Sequence, residues 1–327
     1  MKLSILDQAP ISTGATPKEA LTATIELAKV ADKLGYTRYW VAEHHDLPGL
    51  ASPAPDIILG IIGTQTDTIR IGSGAVLLPH YKAFNIAERY NMLATLFPGR
   101  VDLGIGRAPG GSAEATMALS DNFLEQVRKM PETLDDLLAF FHHSFQKEHM
   151  FSKIKPTPIP ETSPVPWLLG TSEKSAILAA EKGIAYAFGD FMTDQDGPSI
   201  VKKYLKDSHA KQSLIAVSVI CAETTEEAEK LALSSQLWKV QQAKGEGKSG
   251  VPSIKEAKAF DYSNEEKSMV QDIKKNIIIG NPSEVKHQLE ELQDKYQTDE
   301  FMIVTITHSY EARRKSYELI AREFKLL

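Results

Sequence analysis

The sequence predicts an α/β protein of the (β/α)8 TIM-barrel class: a single domain over 1–327 with a polar insertion before the last strand. Three observations predict it. Short apolar runs alternate with helical stretches along the chain, and that alternation requires parallel strands joined by helical crossovers. The early strands recur at about thirty residues, the size of one βαβ unit. Eight strand–helix units fit in 327 residues, and barrels of this class run to about 250 residues or more. A doubly wound sheet of the same elements is the rival architecture.

Lys2–Leu6 reads as the first strand. Pro17–Leu34 follows as a helix: Leu21, Ile25, Ala28 and Ala31 recur at helical spacing, Pro17 suits the first turn and Gly35 the stop. Arg38–Ala42 is the second strand, Pro53–Gln65 a helix, Ile69–Val76 the third strand, and Ala83–Phe97 a helix ended by Pro98-Gly99. Val101–Ile105 is the fourth strand, followed by a longer helical stretch, Asn122–Phe145, and a proline-rich connector from Pro156 to Pro166. The rhythm resumes with strands Trp167–Gly170, Ala185–Phe188 and Leu214–Cys221 and helices Lys174–Lys182, Gln195–Asp207 and Thr225–Gln242. Ala243–Lys267 is polar, carries Gly245, Gly247 and Gly250, and reads as an insertion or mobile loop. Pro282–Tyr296 is a helix, Glu300–Ile306 the eighth strand and Glu311–Phe324 the last helix.

The 37 Lys and Arg against 43 Asp and Glu leave a net charge of −6, with no Lys/Arg-rich block. That argues against a nucleic-acid or anionic-membrane surface. No segment approaches the ~18 continuous apolar residues of a spanning helix. Met1–Asp7 holds too short an apolar stretch for a secretory leader, so cytoplasm is the expected compartment. Cys221, the single cysteine, lies in an apolar run and reads as a small core residue.

In a barrel, functional residues sit at the C-terminal strand ends and in the loops that follow. Strand two runs into Glu43-His44-His45-Asp46, and strand three carries Gly72-Ser73-Gly74-Ala75 and continues to His80. Strand four runs through Gly104-Ile105-Gly106-Arg107-Ala108-Pro109-Gly110-Gly111, and strand five ends in Gly170-Thr171-Ser172 before a helix. Glycine backbone beside the Arg107 guanidinium suits a planar cofactor with a phosphate tail. The competing reading is a turn with a solvated Arg107. Gly170-Thr171-Ser172 offers N–H groups and hydroxyls at a positive dipole end, and the same residues make an ordinary N-cap; the two are compatible.

Adjacent strand residues point to opposite faces, so His44 and His45 converge on one metal ion only if the chain has left the strand. A histidine at a strand mouth can instead move protons, with a hydrogen-bonded structural His44 as the alternative. His80 and His308 are further loop candidates, and a metal-dependent hydrolase built on Glu43–His45 and His80 is a rival. Asp56–Gly63 is apolar all round a predicted helix, which points to a homodimer using this helix and Ile86–Phe97.

Taken together, Tyr39–His45, Ile69–Pro79, Ala87–Leu93, Pro98–Gly110, Trp167–Ser172 and Ala185–Gly189 resemble the bacterial luciferase-like flavin monooxygenase family. Matching segments continue to Arg313–Ala321. The resemblance implies a barrel, usually dimeric, that binds FMN, or in some branches F420, at the strand C-terminal ends. It implies that His44 is the active-site histidine acting on the flavin–oxygen intermediate. Ser73, Gly74 and Ala75 match the strand that carries the isoalloxazine ring, often over a non-proline cis peptide. Arg107, Thr171 and Ser172 match the phosphate-binding positions. The light-emitting luciferase subunit has a cysteine beside the flavin where this chain has Gly106, which argues against bioluminescence. The expectation is a cytoplasmic monooxygenase without a metal, using O2 and reduced FMN from a separate reductase on a small organic substrate. A non-catalytic flavin-binding protein and an F420-dependent hydride-transfer enzyme are the alternatives.

Overall fold

Apolar runs buried on both faces make the strands. A computed structural model describes residues 1–326, so Leu327, the last residue of the expected domain, lies outside the described residues. The strands are β1 (Lys2–Asp7), β2 (Arg38–Val41), β3 (Arg70–Leu77), β4 (Val101–Gly106), β5 (Val165–Gly170), β6 (Ala185–Gly189), β7 (Ser213–Cys221), β8 (Ile277–Gly280) and β9 (Glu300–Val304). From β1 to β6 each strand pairs in parallel with the next; β6 pairs β7, β7 pairs β9, and β9 returns to β1. Eight parallel strands therefore close a TIM barrel. The ninth, β8, lies outside the closure and, among the described residues, pairs with the end of β7 alone, Ile277 opposite Ser218 through Gly280 opposite Cys221.

Helices α1 (Pro17–Lys33), α2 (Pro55–Thr64) and α3 (Ala83–Leu96) follow the first three strands, and α4 (Ala113–Leu119), α5 (Phe123–Arg128) and α6 (Met130–His142) follow β4. Next come α7 (Glu173–Lys182), α8 (Gly197–Asp207), α9 (Thr225–Ala243), α10 (Ile254–Ala259), α11 (Asn264–Lys275), α12 (Pro282–Tyr296) and α13 (Tyr310–Phe324). Most of their starts follow the capping rules: Thr16 and Glu19 form a reciprocal capping box on α1, with Pro17 inside the first turn. No described helix is long and apolar enough to cross a membrane.

Three sequence expectations need correction. The stretch Asn122–Phe145 is two helices, because Pro131 at the start of α6 cannot donate to the preceding turn. The short α4 and β8 were not anticipated. The polar stretch Ala243–Lys267 is more than a loop: it holds α10 and the start of α11, each opened by a capping box, Ser253 with Glu256 and Ser263 with Glu266. The approach to α10 is stitched to the loop after β1, where the Val251 amide donates to Ile11 O at 2.8 Å and Thr13 N donates to Val251 O at 2.9 Å.

Ion pairs hold the N-terminal rim of the barrel. Arg38 bonds Asp102 and Glu300 at 2.7 Å each, and Arg70 bonds Asp102 at 2.6 Å. Asp102 and Glu300 are buried, so each charge is matched where water cannot reach it. Outside the barrel, α2 and α3 bury one face but leave Ile57, Ile61, Met92 and Leu96 exposed.

Candidate active site

Glu43 and His44 follow β2 directly and take different surroundings. Glu43 is 3% exposed; its Oε1 accepts hydrogen bonds from His45 Nε2 and Tyr81 Oη at 2.8 Å each, and Oε2 accepts one from the Leu77 amide at 3.3 Å. Both carboxylate oxygens are thus engaged in joining the loop after β2 to the end of β3. To bond the carboxylate, His45 must carry its proton on Nε2. Burial and then the Glu43 charge push the Tyr81 phenol well above its ordinary pKa, so it stays a donor.

His44 is half-buried, its amide donating to Ser52 O at 2.9 Å. Its ring Nδ1 is buried with no hydrogen-bond partner among the described residues. Burial, and secondarily the neighbouring His45, lower the His44 pKa to about 4, so the imidazole is neutral at pH 7. His80 donates from Nε2 to Pro109 O at 2.9 Å, stacks on Phe123 with centroids 5.0 Å apart, and meets His45 edge-on at 5.8 Å. These contacts tie the loops after β2, β3 and β4 together. Among the described residues no group of three or more His, Cys, Asp or Glu is arranged to hold a metal.

On β3, Ser73 is fully buried and its Oγ donates to Gly104 O at 3.0 Å, so its hydroxyl is taken up by β4. The next peptide, Gly74–Ala75, is cis without a proline, and the β3–β4 register shifts between Ser73 and Val76. Gly74 is half-exposed, and a Cβ there would lie 2.6 Å from Leu6 Cδ1 and 3.2 Å from the Trp40 ring. Two glycines of the next strand and its loop serve chain-to-chain approach. A Cβ on Gly104 would lie 2.1 Å from Ser73 O, and one on Gly111 1.9 Å from His45 O.

Arg107 follows β4, is exposed, and has no ion pair among the described residues. It stands two residues past the Ile105–Leu168 pair, which brings it level with Gly170 at the end of β5. Ser172 caps α7, its Oγ accepting from the Ser175 amide at 3.4 Å. Ser175 Oγ donates to Ser172 O at 2.6 Å and lies 3.0 Å from Tyr186 Oη. Burial pushes the Tyr186 phenol up to about 12, while its hydrogen bond with Ser175 and, less, the Arg107 charge act the other way. Thr171, half-buried, completes the turn.

Gly74–Ala75 in the C-terminal half of β3, and His44, Arg107 and Thr171–Ser172 just after β2, β4 and β5, therefore lie on the C-terminal side of four consecutive strands. Cys221 is 1% exposed, with its thiol pushed up to about 12 by burial, and packs in the core. His308 donates to Thr13 O at 3.2 Å and holds the loop after β1. Sequence reasoning missed Tyr81 and Tyr186, whose hydroxyls organise the two halves of the site. Tyr81 follows His80 on the same loop and was within reach of the argument; Tyr186 sits inside an apolar strand and carried no signal.

A family model described as luciferase-like monooxygenase matches residues 1–298. The Bacillus subtilis (strain 168) protein YceB, described as uncharacterized, is 42% identical over 98% of this chain and 99% of its own length. N-acetyl-S-alkylcysteine monooxygenase of the same organism is 35% identical over 98% of this chain and 97% of its own. Among solved structures, apo-MsnO8 superposes with a TM-score of 0.88 at 32% identity, covering 100% of this chain and 99% of that one.

Proposed function

The chain belongs to the luciferase-like monooxygenase family, and from that premise we propose that it is a monooxygenase using reduced FMN and O2 on a small organic substrate. The observation that carries this reading is the arc of His44, Gly74–Ala75, Arg107 and Thr171–Ser172 on the C-terminal side of four consecutive strands. Reduced flavin supplies two electrons, so that one oxygen atom enters the substrate and the other leaves as water.

The residues present fit such a group. Arg107, exposed and unpaired among the described residues, and the hydroxyls and N–H groups at the start of α7 hold the phosphate. Gly74, half-exposed on β3 beside the buried Ala75, would border the ring system. His44, neutral at pH 7 and unpartnered at Nδ1, accepts or returns a proton at that atom. Glu43 touches neither group; through His45, Tyr81 and the Leu77 amide it holds the histidine loop in place. We place the enzyme in the cytoplasm, served by a separate flavin reductase, as a homodimer that covers the exposed apolar face of α2 and α3.

Replacing Arg107 with Ala tests the phosphate assignment. FMN affinity should fall by roughly tenfold to a hundredfold, the worth of charge-assisted hydrogen bonds, while riboflavin affinity stays the same. Equal losses for both flavins would refute it. Binding of F420 in preference to FMN in the same titration would replace the cofactor in this reading.

A further inference from the structure

A cleft of about 320 Å³ opens at the mouth of the barrel between the ends of β1 and β9, the loop after β6, and helices α9 and α11. Its apolar wall is formed by Phe191, Trp238 and Ile306, which belong to or pack on the interior cluster that also holds Leu6 and Trp40. Those last two residues are the ones against Gly74, so the cleft and the proposed flavin site share one hydrophobic floor.

Lys239 of α9 also lines the cleft, with Gln242 three residues on along the same helix and Asn276 just past α11. Lys239 is half-buried and forms no ion pair among the described residues. The one carboxylate of the lining, Asp194, is exposed and accepts a hydrogen bond from Asn276 Nδ2 at 3.5 Å. Burial lowers the Lys239 pKa, the mark of a cation partly stripped of water with no counter-charge to replace it. A solvated lysine draped over the cleft rim is the alternative.

We propose that this cleft binds the substrate, and that the substrate is a small organic acid whose carboxylate pairs with the Lys239 ammonium while its apolar body lies along Trp238, Phe191 and Ile306. The statement that the bound acid is oxygenated rests on the flavin-monooxygenase reading; the binding statement rests on the cleft alone.

Hexanoate and hexan-1-ol are suitable probes, since they share an apolar chain and differ in charge. Isothermal titration of the full chain, Lys239→Met and Lys239→Arg would give each affinity. Hexanoate should bind the wild type and Lys239→Arg, and weaken by roughly tenfold or more in Lys239→Met, while hexan-1-ol binds all three alike. Equal hexanoate affinity in the wild type and Lys239→Met overturns the proposal, as does hexanoate binding the wild type no tighter than hexan-1-ol. Should Lys239→Met fail to fold, hexanoate against methyl hexanoate on the wild type decides the same question: tighter binding of the acid supports the pairing, equal binding ends it. Reduced FMN titrated into the same proteins separates the two readings. Hexanoate binding that depends on Lys239 without flavin binding would sink the cofactor assignment and leave the acid site standing.

Discussion

Acidifying the wild type and a His44→Gln variant in parallel isolates the histidine on which the proposed chemistry depends. The folded chain holds His44 at about 4, against an ordinary value of 6.5, chiefly through burial. The unfolded chain therefore takes up a proton that the folded chain refuses, and stability falls as the pH drops from about 6.5 towards 4. Each tenfold difference in proton affinity is worth about 1.4 kcal/mol, so the whole difference approaches about 3 kcal/mol, with about 2 kcal/mol of it expressed by about pH 5. Glutamine carries no such proton. Urea midpoints measured at about pH 7.5 and about pH 5 should show the wild type losing about 2 kcal/mol more than His44→Gln. The His44 ring signal, assigned by its disappearance in the variant, should titrate below about pH 5. Equal losses in both proteins, or a ring that titrates near 6.5, would refute the reasoning and make His44 an ordinary solvated imidazole.

The close approach of β3 and β4 predicts that Gly104→Ala, which puts a methyl group 2.1 Å from Ser73 O, lowers stability by about 2 kcal/mol or more. An unchanged melting temperature would contradict that. For the proposed dimer, charges placed on the exposed apolar face by Ile61→Glu with Leu96→Glu should convert a dimer mass to a monomer mass in light scattering. A wild type that is already monomeric at micromolar concentration would contradict the dimer itself.

The barrel was legible in the sequence because its strands are buried on both faces and announce themselves as apolar runs. Leu214–Cys221 could be read almost to its ends, since β7 is buried along its whole length. The four residues of β8 could not, because so short a run after a polar helix has no pattern of its own. The helices after Ala243 carried their start signals openly in Ser253–Glu256 and Ser263–Glu266, but the glycines before them and the polar composition masked the caps. At the site, the positions of His44, Arg107 and Ser172 followed from counting to the ends of strands. The role of Glu43 as a hub for His45, Tyr81 and Leu77 did not, because it depends on partners up to 38 residues away in sequence. Lys239 was invisible for a related reason: nothing local separates a lysine at a half-buried cleft from one in water.

The most direct test of the central claim is an anaerobic titration of the purified chain with reduced FMN, followed by admission of oxygen while the flavin spectrum is recorded. The account predicts saturable binding of reduced FMN and a return of oxidised-flavin absorbance that is delayed relative to free reduced FMN. A chain that binds neither oxidised nor reduced FMN, or that leaves the reoxidation of the flavin unchanged, would contradict it.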